Sequence, residues 1–222
     1  MIPWEKLDRE NTSAGAELAL FRRGEEYVIR INGHDLMGSR LHDSEEELAI
    51  RGCAECATKP NARVLVGGLG LGFTLRAALN TVTSTAEVHV SELVPAVVRW
   101  NRDVLAHLAG RPLDDPRVTV FEEDVVQTIA NAQNKYDAIM LDVDNGPDAF
   151  TIDTNASMYG KKGIARISNA LRPRGVFSLW SVGGDPKFTE RLKNGGFTAK
   201  AVQVPARKGT GMRHTLWIAQ KN

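Results

Sequence analysis

The chain has 222 residues, 42% apolar and 25% charged, with a formal net charge of +1. That is the composition of an ordinary globular protein and excludes a disordered or fibrous one; the near-zero charge gives no field that would draw the chain onto nucleic acid or an anionic membrane. No apolar run approaches the ~20 residues that cross a bilayer, and Met1 to Lys6 carry no apolar leader core, so a soluble, cytoplasmic protein without nucleic-acid or membrane partners is expected.

The first forty residues read as β-rich. Glu17–Arg22 and Tyr27–Ile31 flank the turn Arg23-Gly24-Glu25-Glu26, and Asn32-Gly33 is a tight-turn signal before a third strand at Asp35-Leu36-Met37. Three short strands bury little by themselves, so residues 1–42 are expected to form a small subdomain packed on the remainder or on a second subunit. A linking helix follows from Glu45 to Ala57. It carries Cys53 and Cys56, which lack the two further ligands a zinc site needs and read as reduced thiols one helical turn apart; no metal is expected.

From Arg63 the pattern alternates strand and helix. Strands are expected at Arg63–Val66, Ala86–Ser91, Arg117–Phe121, Tyr136–Leu141 and Val176–Trp180. Helices are expected at Leu71–Asn80, Pro95–Leu108, near Val125–Asn131, around Gly163–Leu171 and at Lys187–Lys193. Phe197–Val204 and His214–Ala219 are joined by a loop too short for a crossover, so they pair antiparallel. Residues 43–222 therefore read as an α/β, Rossmann-like sheet of the methyltransferase type, mostly parallel with a C-terminal antiparallel hairpin.

Ligands of such sheets bind beyond the carboxyl ends of the strands. After the first strand come Gly67, Gly68, Gly70 and Gly72, four glycines in six residues that let backbone approach a ligand and open a helix aimed at it. Glu92 with Leu93 follows the second strand, where an acid accepts both ribose hydroxyls of a nucleoside. Asp124 with Val125 follows the third, placed for an exocyclic amine such as adenine N6 or for capping the next helix. Asp142 and Asp144 follow the fourth, toward the reacting groups; Asp144, beside Asn145-Gly146, also fits a plain turn. Phe73 stands where a dinucleotide fingerprint needs glycine or alanine, and no Gly-Lys-Ser/Thr or G-x-S-x-G is present. Trp100 and Trp180 read as core. The loop between Arg207-Lys208 and Arg213-His214 reads as a solvated surface loop, the alternative being a flap over the acceptor.

These residues resemble the spermidine synthase (polyamine aminopropyltransferase) family from the N-terminal hairpins to about Trp180. Val64 to Gly72 is similar to its strand and glycine loop, Glu92 with Pro95–Val98 to its ribose-binding acid and helix, and Glu123-Asp124-Val125 to its adenine contact. Asp137–Asp142 with Gly146-Pro147 is similar to its catalytic loop, Met158-Tyr159 to the Leu-Tyr that follows, and Asp43-Ser44-Glu45 to an Asp-Glu pair before the linking helix. The resemblance implies S-adenosylmethionine or its decarboxylated form as cofactor, an amine acceptor held by Asp142 and Asp144 with Tyr159 closing over it, and a homodimer.

Two departures stand out. The loop aspartate implied to hold the donor's ammonium is Gly70 here, and the second aspartate of the catalytic pair falls on Asn145. Backbone N–H groups welcome a carboxylate that an aspartate would repel. Gly70 therefore tilts the expectation toward methyl transfer from S-adenosylmethionine, with aminopropyl transfer to a polyamine and a catalytically inactive nucleoside-binding protein as the alternatives.

Overall fold

The structure, a computed structural model, describes residues 2–12, 15–142, 158–209 and 211–222. It contains two sheets. The first is an antiparallel meander of β1 (Glu5–Asn11), β2 (Glu17–Arg23), β3 (Glu26–Ile31) and β4 (His34–Gly38) in that order. The turn Asn32-Gly33 has positive φ at both residues (48° and 82°), which two-residue hairpin turns of the primed type require. β1 is the strand absent from the sequence reading. Its EKLDREN is polar on both faces and buries none of its seven residues fully, so it carries no period-two signal and joins the sheet only through pairing with β2.

The second sheet has seven strands in the order β10-β11-β9-β8-β5-β6-β7. β5 (Arg63–Gly67), β6 (Glu87–Ser91), β7 (Val118–Phe121), β8 (Tyr136–Leu141) and β9 (Leu171–Ser181) run parallel, and β11 (Arg213–Lys221) pairs antiparallel with both β9 and β10 (Phe197–Pro205). This is the expected methyltransferase-type arrangement. The helices are α1 (Asp43–Cys53), α2 (Phe73–Thr81), α3 (Pro95–Arg102), α4 (Val125–Ala130), α5 (Lys161–Ala170) and α6 (Pro186–Asn194). Among the described residues no helix is long and apolar enough to cross a membrane.

Two elements differ from expectation. α3 stops at Arg102, six residues early, because Asp103 leaves helical space (φ −122°, ψ −101°); Leu105, Ala106 and Ala109 still point inward from a series of turns, which is why the apolar spacing imitated a longer helix. Arg172-Pro173-Arg174-Gly175 does not separate helix from strand. It bulges inside β9, where the register against β8 jumps between Tyr136↔Leu171 and Ala138↔Val176, with Pro173 lacking an N–H and Arg174 at φ 63°.

Leu18, Leu20, Tyr27 and Ile29 of the small sheet share one apolar cluster with Leu48 of α1, Val64 and Val66 of β5 and Leu75 of α2. The meander thus packs on the larger sheet's own layer, one of the two placements expected for it. A second cluster, including Leu65, Ile139, Phe177, Phe188 and Trp217, fills the opposite face. Cys53 and Cys56 are free, buried thiols at the end of α1 and in the following 3-10 turn.

Candidate active site

The parallel registers align four strand ends. Gly67 lies opposite both Ser91 and Leu141, and Ser91 lies opposite Phe121. Glu92, Gly68 and Asp142 therefore stand side by side, each one residue past its strand. The first amide beyond each strand locks the row: Gly68 N donates to Ser91 O (2.9 Å), Glu92 N to Phe121 O (3.0 Å) and Asp142 N to Gly67 O (2.9 Å).

Chain reversal at the centre of this row depends on glycine. A Cβ at Gly67 would meet Leu141 Cδ2 at 2.6 Å and Val125 Cγ2 at 2.8 Å, and Gly72, which opens α2, has φ 86° with Asn101 Oδ1 3.0 Å from its missing Cβ. Gly68 and Gly70 also have positive φ. The neighbouring acid is held rigidly. Glu92 is buried, Leu69 N donates to its Oε2 (2.9 Å) and Val94 N to its Oε1 (2.8 Å). These two bonds fix the orientation of its carboxylate, a group with about four acceptor sites. Leu93 is exposed beside it. Asp124 does cap its helix, accepting from Val126 N at 2.9 Å through Oδ1. Val125 is buried against Gly67 and supports the loop from beneath.

Past Gly70 the rim opens into a cleft of about 520 Å³ between the small sheet and the ends of β8, β9 and β11. Met37, Glu45, Gly70, Asp142, Trp180 and His214 are among its lining. Asp142 Oδ2 accepts a 2.6 Å bond from Thr74 Oγ1, the second residue of α2. Glu45, in the first turn of α1, has its carboxyl pushed well above the usual carboxylate range, by burial first and then by the charges of Asp142 and Glu46. On the far wall Trp180 Nε1 donates to Ser44 Oγ (3.0 Å), which is 2.9 Å from His214 Nδ1, and burial holds the His214 imidazole below its ordinary pKa.

The glycine turn, Glu92, Leu93, Asp124, Val125 and Asp142 thus share one rim. Asp144, with Asn145, Gly146 and Pro147, lies outside the described residues. Tyr159 is 3% exposed, its ring edge-on to Phe188 in the second apolar cluster, and it is not among the residues lining the cleft. Trp180, expected in the core, packs partly buried against the first apolar cluster and also lines the cleft, while Trp100 is core and donates to Asp8 Oδ2 at 2.7 Å. The loop expected to be solvated is exposed at Arg207, Lys208, Gly209, Gly211, Met212 and Arg213; Lys208 N donates to Asp43 Oδ2 at the start of α1, and Arg207 and His214 border the cleft. Glu45, Thr74 and Met37 went unread as site residues. Thr74 lies directly behind the glycine loop, and Glu45 lies in the Asp43-Ser44-Glu45 segment that resembles the family's Asp-Glu pair. His42, Asp43 and Glu46 offer three ligand atoms within 4.8 Å of one another, but Glu46 already bonds His42 and Asp43 accepts from Lys208 N.

Comparison with known proteins gives the family and the fold. The spermine/spermidine synthase domain family matches residues 44–193, from α1 into α6. A polyamine aminopropyltransferase of Bacillus subtilis is 32% identical over 136 residues, covering 61% of this chain and 46% of that protein. Polyamine aminopropyltransferase 1 of Streptomyces coelicolor is 30% identical over 154 residues, covering 68% of this chain and 26% of its own length. The chain therefore matches less than half the length of either relative. The crystal structure of a spermidine synthase from Thermotoga maritima superposes with a TM-score of 0.71 at 16% identity, covering 98% of this chain and 72% of that one, which shows a shared fold. The chain belongs to the spermine/spermidine synthase domain family.

Proposed function

We propose that this chain is an aminopropyltransferase. An acceptor amine attacks the carbon beside the sulfonium of decarboxylated S-adenosylmethionine, the C–S bond breaks toward sulfur, 5′-methylthioadenosine leaves, and the new ammonium gives up a proton to Asp142. Sulfonium is already a good leaving group, so the protein's work is mainly in-line alignment plus proton removal. In this reading Asp124 faces the adenine, the remaining lone pairs of Glu92 take the ribose hydroxyls, and the glycine turn passes under the sulfonium.

The observation that carries the choice of donor is the pair of carboxylates, Glu45 and Asp142, on the cleft beside Gly70. Gly70 by itself favours a donor with a carboxylate tail, since neither it nor the buried Leu71 supplies a negative charge. Glu45 reverses that balance from another element. Two like charges about 5 Å apart at an effective dielectric near 20 repel by about 3 kcal/mol, so the carboxylate of S-adenosylmethionine is disfavoured where an aminopropyl ammonium is drawn in. The names of the relatives, polyamine aminopropyltransferases, point the same way, and aminopropyl transfer takes precedence over methyl transfer.

Mass spectrometry after incubation with a linear diamine and either donor tests this. The expected products are 5′-methylthioadenosine and an amine longer by one aminopropyl unit, from the decarboxylated donor. Methylated amine with S-adenosylhomocysteine would establish the methyl-transfer reading instead, and nucleoside binding without product the inactive one.

A further inference from the structure

We infer that Glu45 is the counter-ion for the terminal ammonium of the donor's aminopropyl tail, and so selects the decarboxylated over the carboxylated donor. The inference rests on the aminopropyl-transfer reading and adds to it a residue that belongs to neither the glycine turn nor the strand ends.

Three observations converge. First, among the described residues no hydrogen bond or ion pair reaches the Glu45 carboxylate, although it is largely withdrawn from water. A buried anion is costly unless a cation or hydrogen bonds compensate it. Second, the other acids of the cleft are matched by arginines: Glu26 by Arg23 (2.8 Å) and Arg40 (3.3 Å), Asp35 by Arg30 (2.6 Å). Glu45 and Asp142 both line the end of the cleft beside Gly70, and Arg207 also borders the cleft. Third, Thr74 stands between the two residues: its Oγ1 donates to Asp142 Oδ2 at 2.6 Å and lies 3.5 Å from the backbone carbonyl oxygen of Glu45. A nucleoside laid from β7 across β6 to the turn after β5 directs its sulfonium substituent toward β8 and α1, where these carboxylates stand; Gly70 adds no side chain of its own, and the flexible Met37 thioether stands over it, Sδ 3.0 Å from where a Cβ would be.

Isothermal titration of decarboxylated S-adenosylmethionine, S-adenosylmethionine and 5′-methylthioadenosine into wild type, Glu45→Gln and Glu45→Asp tests the assignment. Glu45→Gln should weaken the decarboxylated donor about ten- to a hundredfold, the scale of one charge-assisted hydrogen bond. 5′-Methylthioadenosine, which lacks the ammonium, should stay within threefold and thereby report an intact fold, and Glu45→Asp should recover part of the loss. Equal losses for both ligands, or no loss for the donor, would overturn the inference. So would a wild type that does not prefer the decarboxylated donor over S-adenosylmethionine, a result needing no variant; if that protein still binds 5′-methylthioadenosine and transfers aminopropyl groups, the proposed function survives. Failure of wild type to bind any of the three removes both.

Discussion

The two halves of the rim are built differently. From β7 to β5 the groups are set by backbone: Glu92 by the amides of Leu69, from the glycine turn, and of Val94, Asp124 by the first turn of α4, the glycine turn by its own φ values. From β5 onward the cleft is assembled from side chains far apart in sequence. Glu45 comes from α1, Thr74 from α2, Asp142 from β8, Trp180 from β9, His214 from β11 and Met37 from the small sheet. Backbone-defined geometry suits an invariant nucleoside. Side-chain geometry can be retuned one residue at a time, and here a carboxylate on α1 stands in for one absent from the glycine turn.

This contrast can be broken experimentally. Asp142→Asn keeps the Thr74 contact but removes the proton acceptor, so turnover should fall about 10²–10⁴-fold while 5′-methylthioadenosine affinity changes less than threefold; a parallel loss of nucleoside binding would merge the two halves. Glu92→Gln leaves one of two backbone amides facing an NH₂ group, at a cost of about 1–3 kcal/mol. Calorimetry should then show every nucleoside, with or without a charged tail, weakened alike by about ten- to a hundredfold. Gly67→Ala forces a methyl group against Leu141 and Val125 and should lower unfolding free energy by about 1–3 kcal/mol, measured by urea denaturation.

The gentlest probe is pH. The Glu45 carboxyl titrates higher folded than unfolded. Its contribution to stability is thus complete below the ordinary Glu range and is lost as pH rises through the folded value. Wild type should lose melting temperature relative to Glu45→Gln as pH rises above the ordinary Glu range and converge with it below that range. A gap that does not change with pH would show that Glu45 does not sense Asp142 and burial as described.

Sequence legibility follows the same division. Strand–glycine–helix spacing made the turn at 67–72 readable, and acids directly after Ser91 and Leu141 were found because strand ends are marked by β-branched runs. α1 was read as a connector: Glu45 falls in the Asp43-Ser44-Glu45 segment that resembles the family's Asp-Glu pair, but as one of several acids in the first turn it is ordinary for a helix N-terminus, and no role was assigned to it. β1 was unreadable because its stability comes from its partner strand. Trp180 was read as core because a tryptophan in a strand gives the same signal whether its ring faces packing or a cleft.

The chain's order of elements, its glycine turn and the acids at 92, 124 and 142 are fixed locally, since strand alternation, turn preference and helix capping act over a few residues and leave a period or a residue type behind. Which acids meet across the cleft is decided by how α1 and the small sheet pack over β8 and β9. That outcome depends on packing and hydrogen bonding among residues up to 170 positions apart, as in the Ser44–His214 hydrogen bond, and non-directional burial leaves no period that a sequence can display.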